Sequence, residues 1–111
     1  MLYPQGLAYD ALHLLGRAYE LSPEPKYPGI IYSLACAYGM MDRMETRARI
    51  LNELVSQDTL MVAAFRDLYW YEIARKNDSL AKSYRGKVER LMPWYIPFAD
   101  SVARQLATET Q

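Results

Sequence analysis

The sequence predicts an all-α protein, a stack of antiparallel helix pairs closed by a C-terminal capping helix. Three observations carry this expectation. Proline and glycine cut the 111 residues into segments of helical length. Each segment places apolar residues at helical spacing, and none alternates with period two over a useful length. The apolar pattern then recurs after about 34 residues, the mark of a repeated supersecondary unit.

Taken in order, the first helix is expected at 7–21, where Leu7, Ala11, Leu15, Ala18 and Leu21 make one stripe. Ser22-Pro23-Glu24-Pro25-Lys26-Tyr27-Pro28-Gly29 ends it. Two of these prolines forbid a continuing helix, while Pro28 suits the first turn of the next. The second helix, 28–41, carries Ile31, Leu34, Ala35 and Tyr38. Asp42, with Glu45 one turn on, reads as a capped start for a third helix at 44–56, striped by Ala48, Leu51 and Leu54. Asp58 marks the start of a fourth, 60–75, with Phe65, Leu68, Tyr69 and Ile73, and Asn77-Asp78 the start of a fifth, 78–91. Met92-Pro93 is a stop, and Pro97 opens the last helix, 97–109. Connections this short make neighbouring helices antiparallel. The single domain 1–111 is thereby divided into a partial unit at 1–23, units at 27–59 and 60–93, and the terminal helix 97–109.

Composition narrows the function classes. Thirteen basic and thirteen acidic residues cancel, so the chain lacks the basic excess on which phosphate contacts depend, and no nucleic acid is expected. One cysteine, Cys36, and one histidine, His13, exclude an intrachain disulfide and leave too few ligands for a structural zinc. Acid pairs for hydrolysis, phosphate-cradling glycines and metal spacings are missing, and His13 has no nucleophile near it in sequence. Neither enzymatic activity nor a cofactor is expected. The longest uncharged run, Tyr27 to Met41, is shorter than a membrane span and holds Pro28, Gly29 and Gly39. With no secretory signal pattern in MLYPQGLAYD, a cytoplasmic protein is expected.

The recurrence has a definite form. Leu34-Ala35-x-x-Tyr38 opens one unit, and Leu68-Tyr69 follows one period later. Ala11-x-x-x-Leu15-x-x-Ala18-x-x-x-x-Pro23 recurs as Arg47, Leu51, Leu54 and Thr59, and again as Ala81, Arg85, Val88 and Pro93. The two steps have nearly that same period, the first slightly lengthened by the proline linker. This chain resembles the tetratricopeptide repeat family, whose first-helix motif matches Leu34, Ala35 and Tyr38 and whose second-helix motif matches Ala11, Leu15, Ala18 and Pro23. Gly6 stands where the family often turns between its helices. The resemblance covers most of 1–93 and implies a right-handed α-solenoid of helix pairs. Arg47 and Arg85 depart from it, as does the lack of glycine near Asp42 and Asn77.

Members of that family bind a peptide or a partner helix on the concave face, so the resemblance implies a protein-interaction module. The corresponding positions here are Tyr32, Cys36, Gly39 and Met40, then Arg66, Trp70, Ile73 and Ala74. Arg66 and Trp70 share a face at i and i+4, a cation beside a large aromatic that suits a peptide anchor. The asparagine and lysine or arginine set with which some members grip a C-terminal carboxylate is missing. Aromatic and methionine side chains at these positions serve equally as core. Tyr69-Trp70-Tyr71 points in three directions around a helix, so the three cannot all be core.

Helix 7–21 reads as the second half of a unit whose first half is only Met1 to Gln5, interrupted by Pro4. Its apolar side, with Leu12, Leu15 and Ala18, would lack its natural partner. Two expectations follow: the chain is a fragment of a longer repeat protein, or it pairs at this end with another subunit or with a copy of itself, as a homodimer through Leu12 and Leu15. A reading of a different class makes it the homodimerising regulatory or sensory arm of a larger enzyme or transcription factor.

Overall fold

A computed structural model of the chain describes residues 4–24 and 26–109, with side chains from 9 onward. Among the described residues there are six α-helices and no strand. They are α1 Pro4–Leu21, α2 Pro28–Met40, α3 Met44–Gln57, α4 Val62–Ala74, α5 Asp78–Leu91 and α6 Ile96–Glu109, with a 3-10 turn at Pro93–Tyr95 leading into α6. The chain divides into two compact units, Met1–Thr59 and Leu60–Gln111. In the first, α2 packs against both α1 and α3; in the second, α4 packs against both α5 and α6.

The helix boundaries repeat more regularly than the side chains. Val62 of α4 and Asp78 of α5 each stand one full period beyond the start of their counterparts, Pro28 of α2 and Met44 of α3. Ile96 of α6 follows Val62 by the same step, so the helix expected only to cap the chain begins where a further first helix would. Its Val102-Ala103-x-x-Leu106 repeats the spacing of Leu34-Ala35-x-x-Tyr38.

Three boundary expectations are corrected. Pro4 opens α1 instead of interrupting a remnant, because the first helical position needs no amide donor; Gly6 accordingly lies inside a helix and not at a turn. Met1 to Tyr3 lie outside the described residues. Asp58 ends α3, its amide donating to the Leu54 carbonyl, and α4 starts only at Val62. Asp42 does not cap α3; the capping position is Arg43, which makes no side-chain cap.

The reason lies in how α2 and α4 end. Asp42 and Lys76 adopt left-handed backbone, with φ of 59° and 63°. The amides of Asp42 and Arg43 turn back to the carbonyls of Gly39 and Tyr38, both at 3.0 Å. Lys76 and Asn77 repeat this onto Ile73 and Glu72 at 3.1 and 2.9 Å. Two carbonyls at each helix end are thereby satisfied. These are the turns where glycine was expected. In either residue the Cβ crowds the following carbonyl; the short polar side chain of aspartate can offset this by local hydrogen bonding, whereas lysine adopts the conformation at a cost. Because Lys76 also donates to the Ala107 carbonyl, the comparison is with Lys76→Ala, which loses that bond but keeps the Cβ: Lys76→Gly should be more stable than Lys76→Ala by about 1 kcal/mol, read as a higher melting temperature. Equal melting temperatures for the two variants would show that the turn is not strained. Asn77 does cap α5, its side chain accepting from the Leu80 amide at 3.3 Å.

Packing accounts for both arginine departures. Arg47 stands where a small residue was expected, and its opposite number is Gly39. A Cβ on Gly39 would meet the Arg47 Cδ at 2.9 Å, so the arginine stem lies in the space that the glycine leaves. Arg85, where a bulky apolar residue was expected, turns its guanidinium to Asp100 on α6. In α2 to α5 the stripes seal at their centres. Ile31, Leu51 and Leu54 are fully enclosed in the first unit, as are Leu68 and Val88 in the second. Beside these, Tyr69, Ala81, Ala99 and Ala103 form a cluster against which Trp70, Ile73, Tyr84 and Tyr95 pack. Three alanines there let α4, α5 and α6 approach closely.

Candidate functional site

Four polar or charged side chains of the second unit, Tyr69, Arg85, Asp100 and Arg104, converge where α4 meets α6. Tyr69 and Ile73 lie one turn apart on α4, and Asp100, Ala103, Arg104 and Ala107 follow helical spacing on α6. With Arg85 from α5 they border an open cleft of about 280 Å³. The floor is apolar, from Ile73, Ala103 and Ala107, and the rim is charged.

Asp100 organises the rim. Arg85 grips it with both ends of its fork, Nε to Oδ1 at 2.8 Å and Nη2 to Oδ2 at 2.7 Å. The Tyr69 hydroxyl donates to Oδ1 at 2.7 Å. The Arg85 hydrogen bonds, aided by the Tyr69 hydroxyl and by the positive charges of Arg85 and Arg104, hold the Asp100 carboxyl below its ordinary value against the opposing effect of burial. Burial, then the bond to Asp100, push the Tyr69 hydroxyl up to about 12. Arg85 is likewise raised, chiefly by its hydrogen bonds to Asp100. Lys76 donates to the Ala107 carbonyl at 3.3 Å at the far end of the cleft. Arg104 is exposed at the rim.

The expected groove residues fall three to each unit. In the first, Tyr32, Cys36 and Met40 stand one turn apart on α2; the first two are half-buried and Met40 is exposed. In the second, the Arg66 guanidinium lies 5.2 Å from the Trp70 ring, so the cation and aromatic do meet. Arg66 is also tied to buried Asp67 at 3.0 Å. Trp70 and Ile73 pack against the α4–α6 cluster, and the indole Nε1 donates to the Ala99 carbonyl at 3.0 Å. Trp70 is therefore part of the internal packing of its unit, and the cleft opens beside Ile73. Leu12 and Leu15 are half-buried on α1, and Leu14 and Leu21 are well exposed.

Asp100 and Arg104 were not foreseen, although the signal was present. They stand one period beyond Arg66 and Trp70, and a terminal helix read in register with α4 would have pointed to them.

A second hollow, of about 340 Å³, lies in the first unit beside Ser22, Pro23, Tyr27 and Gln57. Its cation, Lys26, is engaged by the Ser22 carbonyl at 3.0 Å, Glu24 at 3.5 Å and the Tyr19 ring at 4.6 Å. The α4–α6 cleft is the better candidate, because Arg104 stands exposed at its rim.

Among the described residues no group of three or more histidine, cysteine or acidic side chains could hold a metal ion, and no helix is long and apolar enough to cross a membrane. No family profile matches the chain, and no curated protein or solved structure is significantly similar to it.

Proposed function

We propose that this chain is a protein-interaction module of tetratricopeptide-like helix pairs, stacked with a right-handed turn, that takes a peptide or partner helix against its first-type helices α4 and α6. The observation that carries the reading is the α4–α6 cleft. Two pairs of residues bordering it, Tyr69 with Ala103 and Ile73 with Ala107, occupy corresponding register positions on helices that start one period apart. An apolar floor with an arginine at the rim suits a segment that presents an apolar side chain next to an acidic one. The Asp100 carboxylate, already held by three hydrogen bonds, serves to fix the walls and leaves Arg104 to meet the partner.

A photo-crosslinking residue at position 73 or 104 of the full chain tests this. Both positions should capture the same segment of one partner, while position 82, exposed on α5, should capture none of it. Arg104→Glu should cut affinity for that segment about tenfold, the loss of roughly 1.4 kcal/mol. Equal capture at all three positions, or an unchanged affinity in the variant, would sink the reading.

A further inference from the structure

Two helices leave open the positions that their counterparts seal. The second-type helices α3 and α5 enclose Leu51, Leu54, Ala81 and Val88. In α1 the corresponding Ala11, Leu15 and Ala18 are only half-buried, and Leu14 and Leu21 beside them are 68% and 73% exposed. The first-type helix α4 encloses Ala64, Leu68 and Glu72. The α6 counterparts, one period on, are Phe98, which is 51% exposed, and half-buried Val102 and Leu106. Among the described residues, then, α1 is a second-type helix without a first-type companion, and α6 a first-type helix without a second-type companion. Each is the half that the other needs.

We propose that α1 of one copy of this chain packs on α6 of another, completing a helix pair of the kind that α2 with α3 and α4 with α5 make within a chain. The inference rests on the periodic pairing of helices that underlies the interaction-module reading. The place of the exposed leucine is given by α5. Tyr84 stands to Leu14 as Ala81 stands to Ala11, in the same register, and sets its ring 6.5 Å from that of Phe65 on α4. Leu14 is thus at the position that meets a first-type helix. A net charge of zero offers no repulsion between copies. The two surfaces are different, so the contact is head-to-tail, and each added copy presents a fresh α1 or α6 until a ring closes.

Leu14→Glu removes one surface and Phe98→Glu the other. Both residues are more than half exposed, so the fold should survive, as far-ultraviolet circular dichroism will show; Leu14→Ser and Phe98→Ser are milder second choices. In sedimentation or light scattering from roughly 10 to 500 µM, the unmodified chain should grow past dimer. Each variant alone should stay monomeric. An equal mixture of the two should form a one-to-one dimer, because it contains one intact α1 and one intact α6. An unmodified chain that stays monomeric, a single variant that dimerises by itself, or a mixture that does not dimerise would each overturn the proposal. Partner capture at positions 73 and 104 is read on the monomeric variants, so the cleft stands or falls separately.

Discussion

Trp70→Ala is expected to destabilise the second unit by about 3 kcal/mol or more. Three interactions are lost together. The indole packs against the cluster of Tyr69, Ala81, Ala99 and Ala103, so truncation leaves a void at the meeting of α4 and α6. Its Nε1 donates to the Ala99 carbonyl, a bond worth about 1 kcal/mol. The ring also carries the Arg66 guanidinium at 5.2 Å, which adds about 0.5–1 kcal/mol at a partly exposed site. Trp70→Phe separates these contributions, because it keeps most of the packing and removes the hydrogen bond; it should cost about 1 kcal/mol. Urea unfolding with linear extrapolation reads both changes. A loss under about 1 kcal/mol for the alanine variant would remove Trp70 from the packing and return it to the role of an anchor for a partner.

The contrast between Trp70 and Ile73 shows where sequence reasoning reaches its end. Spacing places both on one side of α4, since periodicity gives the angle of a side chain about its own axis. It does not give the neighbour that the side chain meets. That neighbour is α6, whose register becomes plain only when its start at Ile96 is set beside Val62 and Pro28. The same limit explains Arg47 and Arg85. Each departs from an apolar pattern in one helix, and its compensation lies in another, at Gly39 or Asp100. Local chemistry was legible where a single residue decides it. The prolines at 23, 28 and 93 separate helices as expected, and Asn77 caps α5. Asp42 misled because capping and left-handed turning favour the same residue types. Buried Glu72, one period beyond Tyr38 and with Oε1 accepting no hydrogen bond, had no sequence signal at all.

The second large effect is expected at Asp100. Asp100→Ala removes the acceptor of two Arg85 bonds and one Tyr69 bond and leaves the partly buried arginine without its closest partner. A cost of about 2 kcal/mol is expected, below that of a fully enclosed pair because water still reaches both groups. Asp100→Asn keeps the shape and removes the charge, so it isolates the titration. The Asp100 carboxyl has a lower pKa folded than its ordinary 3.8, so it stabilises the fold above that value, and the contribution is lost as pH falls through the folded pKa. Tyr69 runs the other way. Its pKa rises from 10.0 to about 12 on folding, so its contribution is complete below pH 10 and disappears as pH climbs through 12. Burial is the larger cause of that rise and the bond to Asp100 the next, so the asparagine variant should lose part of the alkaline dependence and keep the rest. Other carboxyls and tyrosines titrate in the same ranges, so the informative quantity is the difference between the unmodified chain and Asp100→Asn. Measured by urea unfolding at successive pH values, that difference should be largest near neutrality, shrink below pH 3.8 as the native carboxyl takes up its proton, and shrink in part above pH 10. A difference that stays flat with pH, or that is zero near neutrality, would reduce the Arg85–Asp100–Tyr69 network to a surface contact and leave the alanine cluster, Trp70 and the Lys76 bond to the Ala107 carbonyl to hold α6 to its unit.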